Sequence, residues 1–298
     1  MDRTISQGLR FAVILAGAIV APRPQQPLAA AEDWADARNP VTDGLELWLD
    51  AGRQEVPRRE RKVPSLEDGA LLSAWFDASG KGRHLTQSHR SSQPRIRVGR
   101  ADSGDVAAVV FDGEDDYLEV RTEPLALTEY TLFIVAAPRS NAGFFRAFLA
   151  ASRVGQNDYT SGFTVDLGPA ATPSWSVLNV EGPGYGGALD LLRDDQPLGD
   201  SFHVLCATAG TGAVALFLDA LPQETRPRDA VPMTLEQLTV GARIYCNSGE
   251  PPFASGFLQG AIAEVILYRR SLGAADRAAV TEYLRRKHGR LMGAVSLD

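Results

Sequence analysis

Glu114, Asp116 and Glu119 fall within the stretch FDGEDDYLEV (111–120), at the spacing Glu-x-Asp-x-x-Glu. Two carboxyl groups about 5 Å apart can cleave a glycosidic bond, one as nucleophile and one as acid/base. On a regular strand, however, residues i and i+2 share a face while i+5 points the other way, so only a bulge could bring all three together. Asp112-Gly113 is a turn dipeptide and places Glu114 to Asp116 in a hairpin connection. The following strand is predicted from Tyr117 to Arg121, with Leu118 and Val120 facing the core and Glu119 facing out. One carboxylate of the three, Glu119, then occupies the outer strand face, and the stretch reads as an acidic hairpin.

The remaining formal matches are weaker. GPGYGG (182–187) satisfies Gly-x-Gly-x-x-Gly, but a dinucleotide site needs that loop between a strand and a helix. Pro183 and the strand-rich surroundings favour a rim loop carrying an exposed Tyr185. His84, His89, His203 and His288 lack ligand spacing, and no Gly-x-Ser-x-Gly elbow is present. Sugar recognition calls for aromatic faces flanked by planar polar groups. Of Trp75, Tyr159, Trp175 and Tyr185, the two tyrosines sit in polar or Gly-rich loops, and Trp75 is expected to pack under the sheets. SRVGQNDYTSG (152–162) adds Asn157 and Asp158 beside Tyr159. The candidate ligand-binding set is therefore Asn157, Asp158, Tyr159 and Tyr185.

The elements that must position these residues are short apolar alternations bounded by Gly, Pro, Asn or Asp, recurring from residue 44 to 268. GLELWLDA (44–51) puts Leu45, Leu47 and Leu49 on one face and Glu46, Trp48 and Asp50 on the other. Many short strands at fairly even spacing predict an all-β, antiparallel jelly-roll β-sandwich rather than βαβ units. One segment has helical period: SLGAADRAAVTEYLRRKHG (271–289), with Ser271 as N-cap and an apolar stripe of Leu272, Ala275, Val280, Tyr283 and Leu284. This short C-terminal amphipathic helix is expected to pack on the sandwich. The polar stretch 52–70 is expected to be a long surface loop within one domain, 32–298.

Several of these stretches, taken in order, resemble laminin-G-like jelly rolls of the concanavalin A-like lectin/glucanase superfamily. The strand GLELWLDA is followed by AWFDASGKGRHLTQ (74–87), similar to that family's Trp-x-Asp-x-Ser-Gly-x-Gly turn. VVFDGEDDYLEV (109–120) resembles its Phe-Asp-Gly-x-x-Asp-Tyr hairpin, and residues 256–289 resemble its Gly-x-Ile-x-Glu-Val strand and final helix. The resemblance spans roughly residues 42 to 290 and implies the fold more than any ligand, since the superfamily includes lectins, adhesion modules and hydrolases. The first expectation is an exported, non-enzymatic module that binds carbohydrate or another cell-surface ligand, such as an extracellular protein, through its rim loops. The alternatives are a glycan-cleaving hydrolase using Glu114 and Glu119, and a structural or adhesive protein without a small ligand. No cofactor is required; Ca2+ is the cation the family sometimes holds, and Asp77 and Asp112 are the candidate ligands here.

Composition sets the outer limits. The chain has 298 residues, 44% hydrophobic and 22% charged, with a formal net charge of −7, which favours neither nucleic acid nor an anionic membrane surface as partner. Lys62, Lys81 and Lys287 are the only lysines among 30 basic residues, a skew that fits a GC-rich, bacterial coding sequence. Arg3 and Arg10 precede the apolar run FAVILAGAIVA (11–21), and Ala29 and Ala31 follow it, as in a secretory signal peptide over 1–31. The run is shorter than the ~20 residues of a spanning helix, so the mature chain is expected to be exported (periplasmic, cell-surface or secreted) and to lack a transmembrane span. In such a compartment Cys206 and Cys246 could form a disulfide, or serve as two small buried hydrophobes.

Overall fold

A computed structural model of the chain describes residues 30–101 and 104–292. The expected leader lies almost wholly outside them, and no helix among them is long and apolar enough to cross a membrane.

Strands, numbered in chain order, form two antiparallel sheets stacked as a sandwich. One has the order β13 (Leu221–Pro227), β12 (Ala213–Leu218), β11 (His203–Ala209), β7 (Tyr130–Ser140), β17 (Gln259–Tyr268), β5 (Gly104–Asp112) and β4 (Arg95–Ala101). β1 (Leu45–Asp50) pairs with β17 along Glu264–Tyr268, beyond the stretch Gln259–Ile262 that pairs with β5. The second sheet runs β10 (Asn179–Glu181), β9 (Phe163–Asp166), β8 (Ala147–Ser152), β14 (Met233–Val240), β6 (Leu118–Leu127), β3 (Leu85–Thr86) and β2 (Ala74–Trp75). β15 (Arg243–Tyr245) and β16 (Phe253–Ser255) make a separate small hairpin.

The predicted all-β sandwich and its C-terminal helix are what the structure shows. Period-2 alternation sends Phe163 and Val165, Val180, and Leu118 inward, where Trp75, Phe148 and Trp175 also lie. Thr164, Asp166, Asn179, Glu181 and Glu119 take the outer face of the second sheet by the same rule. A register shift between Leu45 and Leu47 alters the predicted pattern of β1. Leu47 and Leu49 enter the inter-sheet core, while Leu45 joins Trp48 in a second cluster on the outer face of the first sheet.

α3 (Ala274–His288) covers that second cluster with Val280, Tyr283 and Leu284. It starts two residues later than the sequence suggests: Gly273 rather than Ser271 is the N-cap, and Ala275 is exposed. The stretch 52–70 also departs from a plain loop. It carries α1 (Glu55–Glu60), whose buried Arg58 donates from Nε to the Pro64 carbonyl at 2.6 Å.

Buried charge fastens α3 to the sheet. The Lys287 ammonium contacts Asp50, lies 2.6 Å from Glu264 Oε2 and 3.0 Å from the Tyr283 hydroxyl, and has Asp36 at 3.9 Å. His288 Nε2 stands 2.6 Å from Glu264 Oε2, and Trp48 Nε1 donates to Glu264 Oε1 at 2.7 Å. Burial alone would raise the Glu264 carboxyl, but Lys287 and His288 outweigh it and hold the group down at about 2. Removing one partner of a buried ion cluster leaves uncompensated charge, which costs about 3–5 kcal/mol. Lys287→Met is therefore expected to lower stability by about that much in denaturant unfolding at pH 7. An unchanged midpoint would contradict the anchoring role.

Candidate functional site

The loop predicted to bind ligand instead holds another loop. Asp158, at the start of the one-turn helix α2 (Asp158–Ser161), is fully buried. It receives Arg243 through Nη2–Oδ1 at 2.8 Å and Nε–Oδ2 at 3.2 Å, and the Ile244 amide at 2.9 Å. Arg243 Nη1 also lies 3.3 Å from both Asp166 Oδ2 and Glu181 Oε1, on the outer face of the second sheet. Three rings surround the guanidinium, with centroids at 4.8 Å (Tyr245), 5.2 Å (Phe145) and 5.7 Å (Tyr159). Only 3% of the Arg243 side chain is exposed. Burial raises the Asp166 carboxyl to about 7 despite Arg243 beside it, and raises Asp158 as well.

Asn157 and Tyr159 complete the clasp. Asn157 accepts the Cys246 amide at 2.9 Å and donates to the Cys246 carbonyl at 3.2 Å, and the Tyr159 hydroxyl donates to Asn247 Oδ1 at 2.8 Å. These two residues position the β15–β16 hairpin, and Asp158 is withdrawn from solvent altogether. The expectation for Tyr185 is corrected too. Its ring is 4% exposed in the core, bonded by its hydroxyl to that of Tyr130 at 3.1 Å, with Arg226 and Arg228 over its face. Tyr185 fills the sandwich because its side chain turns inward from a loop whose Gly184, Gly186 and Gly187 stay exposed.

The hairpin so fixed forms one wall of a cleft of about 460 Å3. Its lining includes Phe144, Tyr245, Phe253 and Phe257, with Glu114 and Arg146 as the charged groups. Phe144 is 62% and Phe253 58% exposed, unusual for large apolar side chains. Arg146 joins the walls: Nη1 donates to the carbonyls of Gly113 at 2.9 Å and Phe257 at 2.8 Å, and Nη2 to that of Ala142 at 3.1 Å. Two glycines are required by this closeness. Gly113 has φ +83° and would place a Cβ 2.7 Å from the Gln259 side chain, and Gly256 has φ +60° and would place one 1.9 Å from the Phe145 carbonyl oxygen.

The acidic hairpin is the opposite wall. Asp112 Oδ1 accepts the amide of Glu114 at 2.8 Å and of Asp115 at 3.3 Å, and Asp116 Oδ2 accepts the Asp112 amide at 3.1 Å. Burial, then the neighbouring Asp112 and Asp115 carboxylates, raise Asp116 to about 7. Glu114 lines the cleft, whereas Glu119 lies on β6 outside its lining and accepts Gln237 Nε2 at 2.7 Å. The structure thus separates the pair a two-carboxylate hydrolysis would use.

The oxygen-rich positions are distributed differently from the expectation. Asp77 is wholly buried and its carboxylate takes the amides of Trp48, Ser79 and Arg83 at 2.9 Å each, together with the Ser79 hydroxyl at 2.8 Å. Those donors leave it no face for a cation. Asp112 meets Asp115 and Asp116 instead, with one oxygen of each within 4.8 Å of the others. Cys206 and Cys246 are both free thiols. Cys206 lies in the cluster beneath α3 and Cys246 follows β15 at the far sheet's rim, so no bridge joins them.

Phe144, Phe253, Arg146 and Arg243 escaped the sequence reading. A signal was present for the two phenylalanines: NAGFFRA and GEPPFASG place aromatics in Gly- or Pro-rich loops, the criterion that had selected Tyr159 and Tyr185.

No protein-family model matches the sequence, and no curated protein does. Solved structures do share the fold. Trypanosoma rangeli sialidase, in complex with 2,3-difluorosialic acid, aligns at TM-score 0.50 and 13% identity over 83% of this chain and 34% of that one. Domain 4 of a GH43 extracellular arabinanase from Geobacillus stearothermophilus, in complex with arabinotriose, aligns at TM-score 0.41 and 14% identity over 72% and 98%. A heptameric SAP-like pentraxin from Limulus polyphemus aligns at 0.45 and 12% over 58% and 79%. The chain spans about a third of the sialidase's length, and the likeness is one of fold. The β-sandwich is what the two sheets of the structure show, and these likenesses do not single out the laminin-G-like branch. The expectation of a non-enzymatic module is corrected by the same finding, because this fold recurs within a glycosidase.

The two thiols should differ sharply. Burial pushes Cys206 far above the ordinary thiol range, while the Ser248 hydroxyl, 3.0 Å from Cys246 Sγ, draws that half-buried thiol down. A native-state thiol titration is expected to consume one equivalent of reagent rapidly at Cys246, and the second only in denaturant. Rapid reaction of both, or of neither, would contradict this arrangement.

Proposed function

We propose that this chain recognises carbohydrate, in the cleft between the acidic hairpin and the β15–β16 hairpin. The observation that carries the reading is the pair of exposed rings, Phe144 and Phe253, on an aromatic-rich cleft that also presents the polar side chains of Glu114, Asn247 and Ser248. A pyranose presents an apolar face of C–H groups and an equator of hydroxyls. Aromatic rings bury the first, and Glu114, Asn247 and Ser248 offer hydrogen bonds to the second. The cleft is concave and largely pre-formed, since Arg243 and Arg146 hold its walls before any ligand arrives. Occurrence of the fold within a sialidase crystallised with a sialic-acid derivative adds support for a sugar ligand. The basic and apolar start of the chain adds an exported setting, where polymeric or cell-surface glycans would be met. Glu114 is the carboxylate of this cleft, and hydrolysis with paired carboxylates would need a partner for it.

A glycan array probed with the full chain tests the reading. Binding is expected to a subset of glycans and to weaken by roughly fivefold to tenfold in Phe253→Ala, about 1 kcal/mol. The melting temperature should stay unchanged, because that ring is mostly in solvent. Bound glycan should also slow alkylation of Cys246, which lines the same cleft. Absence of binding across the array, or affinity indifferent to Phe253→Ala, would overturn the assignment. Release of new reducing ends from a bound glycan, lost in Glu114→Gln, would assign cleavage as well as recognition to the cleft.

A further inference from the structure

The acidic hairpin has a cavity on each side. Gly113 and Glu114 line the aromatic cleft; Asp112 and Asp116 line a second groove of about 570 Å3, with Arg90, Gln93 and Arg95. Asp112 and Glu114 are two residues apart, so the ridge between the cavities is no wider than about 7 Å. One oligosaccharide chain can lie across it.

The second groove differs in chemistry from the first. Aromatic rings are absent from its lining, and its cations are accessible: Arg90 and Arg95 are both exposed. Arg95 donates from Nη1 to the Gly69 carbonyl at 2.9 Å, and across the groove its charge acts on Asp116. The acids on the facing hairpin are in part already occupied. Asp112 spends Oδ1 on the turn amides, Asp115 Oδ2 takes the Ser92 hydroxyl at 2.8 Å, and Asp116 is buried with Oδ2 on the Asp112 amide. Two guanidinium forks in one groove match a planar or tetrahedral anion.

We propose that this groove is an anion subsite continuous with the aromatic cleft: Arg90 and Arg95 receive the carboxylate or sulfate of an acidic glycan whose neighbouring ring stacks in the cleft. The inference rests on the sugar-binding reading of the cleft and specifies its ligand as an acidic polysaccharide or glycoconjugate.

The test is an array of matched glycans, each backbone present in neutral, C6-carboxylated and sulfated forms, probed with the full chain. Acidic forms are expected to bind on the order of tenfold tighter than their neutral counterparts. Arg90→Gln with Arg95→Gln should erase that margin while neutral binding persists. The carboxylated and sulfated arms identify which anion the forks prefer. Equal binding of neutral and acidic forms, or a margin that survives loss of both arginines, would overturn the subsite. Neutral binding that is sensitive to Phe253→Ala in that case leaves the cleft reading standing. Acidic binding that needs both arginines yet ignores Phe253→Ala would sever the cavities and overturn the continuous path.

Discussion

A guanidinium taken out of water must be surrounded by acceptors, and Arg243 dictates much of the site by that requirement. Its three carboxylates come from α2, β9 and β10, elements that meet only once the second sheet has formed. The ion cluster therefore locks together what it touches: the β15–β16 hairpin, the 157–161 turn and the outer face of β9 and β10. The cluster carries more acid than base. Asn179 answers part of the excess by donating to Glu181 Oε1 at 2.9 Å, and proton uptake near neutrality answers part of the rest at Asp166. Burying Thr164, Asp166 and Asn179 beneath the hairpin shuts that end of the sheet face and leaves the rim as the accessible surface.

Rigidity at one wall would achieve little if the other were loose. Arg146 supplies the connection, because its guanidinium bonds carbonyls from both sides of the cleft and no carboxylate among the described residues. Such bonds are directional and leave the cation's field partly uncompensated inside the pocket. The two arginines thus divide the work. Arg243 is fully neutralised and serves architecture, whereas Arg146 fixes the spacing of aromatic walls and contributes charge to the space between them. Preorganisation of this kind favours affinity by reducing what must be ordered on binding.

Much of the architecture was legible in the sequence because alternation is a local property. The strands from GLELWLDA to GAIAEVILY follow from which side chains can face a core, and the helix after residue 270 from its period. The misreadings came where a long-range partner decides. Asp158 reads as a polar loop residue until Arg243, 85 positions away, is known to reach it. Tyr185 stands among glycines, which signal flexibility but equally permit its side chain to turn inward and fill a gap against Tyr130. Asp77 was correctly placed in a turn, yet only the packed structure shows how completely the amides of Trp48, Ser79 and Arg83 use its oxygens. Lys287 is the mirror case: the sequence put it on a helix, but not in the middle of Asp36, Asp50 and Glu264.

FDGEDDYLEV shows how one acidic stretch can be needed without being a catalytic set. Asp112 must accept amides to close the turn, and Asp116 must bridge back to the Asp112 amide, so both are explained by backbone satisfaction. Glu119 belongs to the sheet, where Gln237 engages it. Glu114 alone has neither duty, and it is the member that faces the cleft. Folding demands account for its neighbours and leave this one carboxylate free, so whatever chemistry the cleft performs on a ligand has Glu114 as its acidic group. The same turn keeps two cavities of different character side by side, one lined by aromatic rings and one by arginines and aspartates. A ridge built from Asp112 to Asp116 is thin because Gly113 lets the chain reverse where any larger residue would meet Gln259 and Arg146. The absence of a side chain at that position is thus what brings the two surfaces within reach of a single ligand.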